Sequence, residues 1–339
     1  MAAEKVLLSG ASGFIAGHIL KLLIDSGYTV VGTVRSEGKG EFLKKLYPKN
    51  FEYAIVKELS EPNAFDAVFQ ANPDFTYVLH TASPFTFHAT SAEKDFLRPA
   101  IDGTLSILKS AKTYGPNVKK VVVTSSFAAI LNLEPIEDPN FVYTEDTWNK
   151  ITYEQANNDS NLLNAYIGSK TFAEKAAWEF VEKEKPNFSI STILIPYVWG
   201  NPINDIDIKT LNTSNEVIAN ILKLPKDITE LPQYVPYWVD VHDAARAHFI
   251  AMTSEELNNK RVLCYSGVAD VQTILDTLHK IRPEASSNLP IGKPGSFDEK
   301  SFPAVEDSRS QKALNFKPTS LESTLADIID WMEAHKEEK

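Results

Sequence analysis

A single cysteine, Cys264, occurs among 339 residues, which excludes an internal disulfide and any thiolate-rich metal centre. It is expected to pack as a small hydrophobe at the end of an apolar strand. No run approaches the roughly 18 apolar residues that a membrane helix needs, and no basic-then-apolar leader precedes Val6. The expectation is therefore a cytoplasmic protein without a membrane partner. Positive charge is also scarce: 34 Lys and Arg stand against 45 Asp and Glu, a net charge of −11. That balance excludes nucleic acid as a partner, because phosphate backbones demand an excess of cations, and leaves at most a local basic site for one small anion. There is no metal-ligand cluster, internal repeat or low-complexity run. The serines at the end of the strongest strand signal, Ser125 and Ser126, lack the Gly-x-Ser-x-Gly elbow of a nucleophile.

What is present suits a globular protein, with 43% hydrophobic and 23% charged residues. The length fits one large α/β unit with an appended lobe. Lys5–Ser9 is a short apolar run of strand length. It is followed at once by Gly10-Ala11-Ser12-Gly13-Phe14-Ile15-Ala16 and an amphipathic helix. Strand, glycine turn and helix in that order form a dinucleotide-binding unit: Gly10 and Gly13 let the backbone approach a pyrophosphate, and the helix N-terminus holds its charge. A second strand, Tyr28–Val34, ends in Arg35-Ser36-Glu37-Gly38-Lys39. An acidic residue at this place accepts ribose hydroxyls in NAD sites, whereas Arg accommodates a 2′-phosphate. Arg35 with Lys39 points to NADP(H), and Glu37 is the competing ribose acceptor.

Further strands are expected at Phe51–Val56, leading to Glu58 and Leu59 where an adenine would rest, and at Phe75–His80. The latter ends in Thr81-Ala82-Ser83-Pro84, small residues that leave room for a ligand at the strand's carboxyl end. His80 reads as a hydrogen-bonded structural histidine more readily than as a base. Val118–Thr124 gives the strongest strand signal and delivers Ser125 and Ser126 to the same crevice. Asn132 to Asn161 reads as a polar surface excursion before a long helix that starts around Asn164 and runs to about Lys185. On that helix Tyr166 and Lys170 lie four residues apart, hence on one face. An ammonium beside a phenol favours the phenolate and eases proton exchange, so the pair is an acid/base device. Either Ser125 or Ser126 can meet Tyr166 over a substrate.

A sixth strand, Phe188–Ile195, precedes Pro196-Tyr197-Val198-Trp199-Gly200. Beyond residue 200 the strand–helix alternation loosens into a smaller lobe, with helices expected at 213–224, 243–252, 270–281 and 321–334 and a surface loop at 283–303. The fold class is thus α/β, a Rossmann doubly wound parallel sheet. Residues 1–200, with return segments from the C-terminal half, bind NADP(H), and residues 201–339 form a substrate-binding lobe. Phe85, Phe87, Phe127, Tyr197 and Trp199 are expected to line an apolar pocket for hydrophobic or aryl substrates.

Taken together, Gly10-x-x-Gly13-x-x-Ala16, Arg35, His80-Thr81-Ala82-Ser83-Pro84, Thr124-Ser125-Ser126 and Tyr166-x-x-x-Lys170 resemble the extended short-chain dehydrogenase/reductases. Within them the chain is similar to the fungal NADPH-dependent aldehyde and ketone reductases, known as methylglyoxal or isovaleraldehyde reductases, and to the dihydroflavonol 4-reductases. The likeness extends to Asn212-Thr213-Ser214 and Val239-Asp240-Val241. The resemblance implies an NADPH-dependent reductase of small carbonyl substrates acting as a monomer or homodimer. Tyr166 would be the general acid, Lys170 would lower its pKa and hold the nicotinamide ribose, and Ser126 would bond the carbonyl oxygen. NADPH would lie along Gly10, Ser12, Gly13, Phe14 and Ile15, with Arg35 and Lys39 at its 2′-phosphate. Glu58 and Leu59 would stand at the adenine, and Thr81, Ala82, Ser83, Pro196, Val198 and Ser214 along the remainder. Glu58 stands where relatives carry Asp, and the Pro196–Gly200 loop is one residue shorter, which implies a locally altered pocket. Two other readings use the same features: an NAD-retaining nucleotide-sugar epimerase or dehydratase, which Arg35 disfavours, and a non-catalytic NADP(H)-sensing regulator, which has no need of an intact Ser126, Tyr166 and Lys170.

Overall fold

A computed structural model of the chain describes residues 4–83, 91–132, 138, 140–158, 162–204, 211–234 and 236–335. Phe85 and Phe87 lie outside them. The first half alternates strand and helix: β1 (Lys5–Ser9), α1 (Phe14–Asp25), β2 (Thr29–Val34), α2 (Glu37–Leu46), β3 (Phe51–Ile55), α3 (Asp66–Ala71), β4 (Phe75–His80), α4 (Arg98–Tyr114) and β5 (Lys120–Thr124). A two-residue strand β6 (Val142–Tyr143) and the short α5 (Tyr153–Asn158) precede α6 (Leu162–Glu184), β7 (Ser189–Leu194) and β8 (Tyr197–Trp199). The second half contains α7 (Thr213–Ile221), β9 (Tyr237–Asp240), α8 (Val241–Thr253), β10 (Lys260–Leu263), β11 (Gly267–Val268), α9 (Val271–Ile281), β12 (Ala304–Val305), α10 (Ser308–Leu314) and α11 (Leu321–Ala334).

Seven strands form one parallel sheet in the order β10-β7-β5-β4-β1-β2-β3. Val6, Leu7 and Leu8 of β1 are fully buried, as a parallel strand covered by helices on both faces requires. The chain order reverses between β1 and β4, so the crevice at their carboxyl ends is the ligand-binding switch point of a doubly wound sheet. β10 comes from the C-terminal half and pairs with β7 in parallel, Lys260 opposite Ser191. α8 packs with α1 on the same face of the sheet, through buried Ala244, Ala247 and Ala251 beside Ile19 and Leu23. The long helix α6 packs against α4, and Gly168 makes close approach to α5 feasible: a Cβ there would stand 2.3 Å from that of Ala156.

A separate three-stranded sheet, β11-β9-β8, carries the smaller lobe. Its core holds Trp199 and Trp238, stacked with centroids 5.4 Å apart, over Ile218, Leu275 and Ile328. Trp199 is 0% exposed. It is therefore core rather than a pocket wall, because β8 pairs with β9 and turns the indole towards its partner on the next strand. The stretch expected as a surface excursion is also partly interior. Tyr143, Glu145 and Asn149 are buried, since β6 pairs with β12 and Asn149 donates to the carbonyls of Ala128 and Leu131. Cys264 is buried just beyond β10, its thiol 3.6 Å from the Asp243 carbonyl. Among the described residues no helix is long and apolar enough to cross a membrane.

Candidate active site

The turn after β1 is tied to its neighbours on both sides. The Gly10 N–H donates to Thr33 Oγ1 at 3.2 Å and the Ala11 N–H to the Thr33 carbonyl at 3.0 Å. Gly10 has φ +68°, and a Cβ there would meet Ala82 at 3.1 Å, so only glycine brings the turn against β4. Gly13 takes the N-cap position of α1 with no side-chain cap. The first-turn N–H groups, beginning at Phe14 and Ile15, have no capping side chain, as an anion site at a helix N-terminus needs. Ser12 beside them is half-buried. From the far lobe Asn204 donates to the Gly13 carbonyl at 3.1 Å and braces this turn. Its Oδ1 is buried without a hydrogen-bond partner. The glycine turn and the uncapped N-terminus of α1 fit a dinucleotide pyrophosphate.

Arg35 follows β2 directly, two residues after the Thr33 that holds the glycine turn, and Lys39 lies in the first turns of α2; both are exposed. Glu37, in the first turn of α2, is exposed beside them. Glu58 is exposed and accepts from Ser60 Oγ at 2.8 Å. Leu59 is 7% exposed and packs into the core with α4, where Gly103 makes room for it.

At the end of β4, Ser9 Oγ accepts the N–H groups of Thr81 and Ala82, both at 3.1 Å. With both lone pairs so used, the Ser9 hydroxyl must donate its one proton to His80 Nδ1, 2.8 Å away. His80 is therefore neutral with its proton on Nε2. Burial, helped by the Lys170 charge, pushes its pKa down to about 3. It is a structural histidine that shapes Thr81–Ser83.

Ser126, Tyr166 and Lys170 converge on the same crevice. The Tyr166 hydroxyl is hydrogen-bonded to Ser126. Ser125, by contrast, is buried and turns away to donate to Glu174 at 2.7 Å. The strand's own alternation separates the two serines. Lys170 Nζ donates to Ser83 Oγ at 2.8 Å and sits over the Tyr166 ring, 5.6 Å from its centroid. Burial holds the Tyr166 phenol above its ordinary value; the Ser126 bond opposes this and Tyr197 adds to it. Burial lowers Lys170 to about 8. At neutral pH the pair is therefore a protonated phenol beside an ammonium, the state a proton donor must have. Since Lys170 loses its charge as pH rises through about 8, kcat/KM for NADPH, which reports ionisations of the free enzyme, is expected to fall along an alkaline limb near that value. Lys170→Arg, which keeps its charge, would remove that limb; a steady-state pH profile of both proteins checks this.

The remaining expected contacts divide by burial. Pro196, Tyr197 and Ser214 are half-buried. Val198 packs into the core beneath the large sheet. Phe127 is 3% exposed and stacked on Tyr237 with centroids 4.7 Å apart. Phe127 is thus core, like Trp199, and of the expected aromatic wall Tyr197 alone is partly open among the described residues. Sequence reasoning missed Ser9, Asn204, and Asn215, whose amide exchanges hydrogen bonds with the Gly200 backbone. Asn204, in a loop after a strand, carries no pattern of its own, and its partner Ala11 lies 193 residues away.

A family model described as the NAD dependent epimerase/dehydratase family matches residues 6–264. The chain belongs to that family. A putative NADPH-dependent methylglyoxal reductase of Candida albicans is 43% identical over 337 residues, covering 96% of this chain and 98% of its own length. Among solved structures, Gre2 of Candida albicans in complex with NADPH superposes with a TM-score of 0.93 at 39% identity, covering 98% of this chain and 100% of the other. The yeast methylglyoxal/isovaleraldehyde reductase Gre2, complexed with NADPH, gives 0.92 at 37% identity, covering 98% and 99%.

Proposed function

We propose that this protein is an NADPH-dependent carbonyl reductase that converts aldehydes and ketones to alcohols. The observation that carries the reading is the bond between the Tyr166 hydroxyl and Ser126 at the mouth of the glycine turn, with the Lys170 ammonium over the same ring. Relatives named as NADPH-dependent reductases across nearly the full chain support it. NADPH, when bound, supplies the hydride to the carbonyl carbon. Tyr166 gives its phenolic proton to the carbonyl oxygen as negative charge develops there. Ser126 donates a hydrogen bond to that oxygen, and Lys170 stabilises the phenolate left behind; such preorganised donors act on charge that exists only in the transition state. Lys170 and Ser83 would hold the ribose, and Arg35 and Lys39 the 2′-phosphate.

Methylglyoxal and isovaleraldehyde, the substrates in the relatives' names, belong to the same class of small carbonyls. Tyr197 beside Tyr166 favours uncharged, apolar carbonyl compounds over oxo acids. The test is NADPH oxidation by the purified protein over aldehydes, ketones, diketones and oxo acids, with the alcohols identified. Loss of NADPH equal to alcohol formed, greatest with apolar carbonyls, is expected; no oxidation with any compound would overturn the reading.

A further inference from the structure

We propose that Glu174 is a positioning residue for the reaction, holding through Ser125 the strand end that presents Ser126 to Tyr166. Glu174 lies one turn beyond Lys170 on the same face of α6, and its side chain is 1% exposed. Burial of a carboxylate is costly unless its lone pairs are filled, and here they are. Oε2 accepts from Ser125 Oγ at 2.7 Å and Arg261 Nη2 at 3.1 Å. Oε1 accepts from Thr192 Oγ1 and Arg261 Nε, each at 2.7 Å, and from Trp178 at 3.2 Å.

The carboxylate thus joins three strands to the helix: β5 through Ser125 at its end, β7 through Thr192, and β10 through Arg261. Arg261 is itself fixed, stacked 3.6 Å over the Trp148 ring and donating to the Glu145 and Thr147 carbonyls at 2.7 and 2.5 Å. Tyr166 and Lys170 ride on α6, whereas Ser126 is carried by the end of β5. The Ser125–Glu174 bond is a side-chain link between these two carriers, one residue from Ser126 and one helical turn from Lys170. A cavity of about 20 Å³ bounded by Lys170, Ser83, His80, Thr124, Ser125 and Glu174 lies beside the link, so packing alone does not fix the gap. The carboxylate touches no reacting atom; it acts by setting the distance between those that do.

Deleting Glu174 would strand the Arg261 guanidinium in a buried site, so the link is best cut at its other end. Ser125→Ala removes the hydroxyl next to Ser126. Thr192→Val removes one bound to the same carboxylate at the same 2.7 Å but leading to no site residue. The two variants are expected to lower Tm by similar amounts. Ser125→Ala should lower kcat with the best carbonyl of the panel about 10- to 100-fold, the scale of a small misplacement near reacting groups. It should leave KM for NADPH within about twofold of wild type. Thr192→Val should keep wild-type kcat.

The kinetic arm rests on the carbonyl-reductase reading. A second arm does not: ultraviolet titration of phenolate in the protein without cofactor, with Tyr166 isolated by subtracting the Tyr166→Phe variant. A loosened Ser126 bonds the phenolate less well, so the Tyr166 midpoint should rise in Ser125→Ala and stay in place in Thr192→Val. Failure of either readout to separate the two variants overturns the proposal. A wild-type protein without turnover counts instead against the functional reading, and the titration then decides alone.

Discussion

Tyr166→Phe is expected to lower kcat for carbonyl reduction by about 10² to 10⁴, the usual contribution of a positioned general acid, while NADPH still binds. The substitution deletes one oxygen from a half-buried ring held by α6, so the helix, Lys170 and the glycine turn keep their places. The loss belongs in kcat because the proton is needed only as the oxygen becomes negative; a group used only in the transition state does not set binding. Fluorescence titration with NADPH beside single-turnover kinetics separates the two quantities. A variant with near-normal turnover would remove Tyr166 from the mechanism. One in which binding collapses with turnover would make it a cofactor ligand instead.

Arg35→Ala is expected to lower kcat/KM for NADPH by roughly 10- to 150-fold, the equivalent of about 1.5–3 kcal/mol for a hydrogen bond to a charged group. Efficiency with NADH should change little. The contrast follows from placement: Arg35 stands exposed at the end of β2, two residues past the Thr33 that fixes Gly10 and Ala11, where it would meet only the ribose end of the cofactor. Glu37, in the first turn of α2, would then be free to accept the ribose hydroxyls of NADH. Steady-state kinetics with both cofactors checks this, and a wild-type preference for NADH would overturn the assignment of Arg35.

The nucleotide-binding half is the part a reader of the sequence can lay out. β1 and β4 have the expected ends, because a short apolar run stopped by small residues leaves little choice of boundary. Tyr166 and Lys170 are legible because helix periodicity alone puts them on one face. What is hidden depends on pairing across long distances. Trp199 looks like pocket lining until β8 joins β9 and Trp238 claims its face. The 132–161 stretch looks like surface because its polar residues outnumber its apolar ones. Yet Glu145 is buried against Ser310, 165 residues further on, which no local pattern announces. Glu174 had a faint signal, an acid on the inward face of a helix, but its counter-charge Arg261 lies 87 residues away.

The edge strand β10 has a consequence for the order in which the protein can be made. Chains emerge from the ribosome N-terminus first and fold as units complete themselves. Here the large sheet lacks its last strand until residue 263 has been synthesised. Until then Glu174, already on α6, lacks Arg261. A nascent chain of the first 200 residues carries the glycine turn, Ser126, Tyr166 and Lys170 but not the guanidinium that pairs with Glu174. The tie from α6 to β10 closes once Arg261 has been made, before half of residues 201–339 exist.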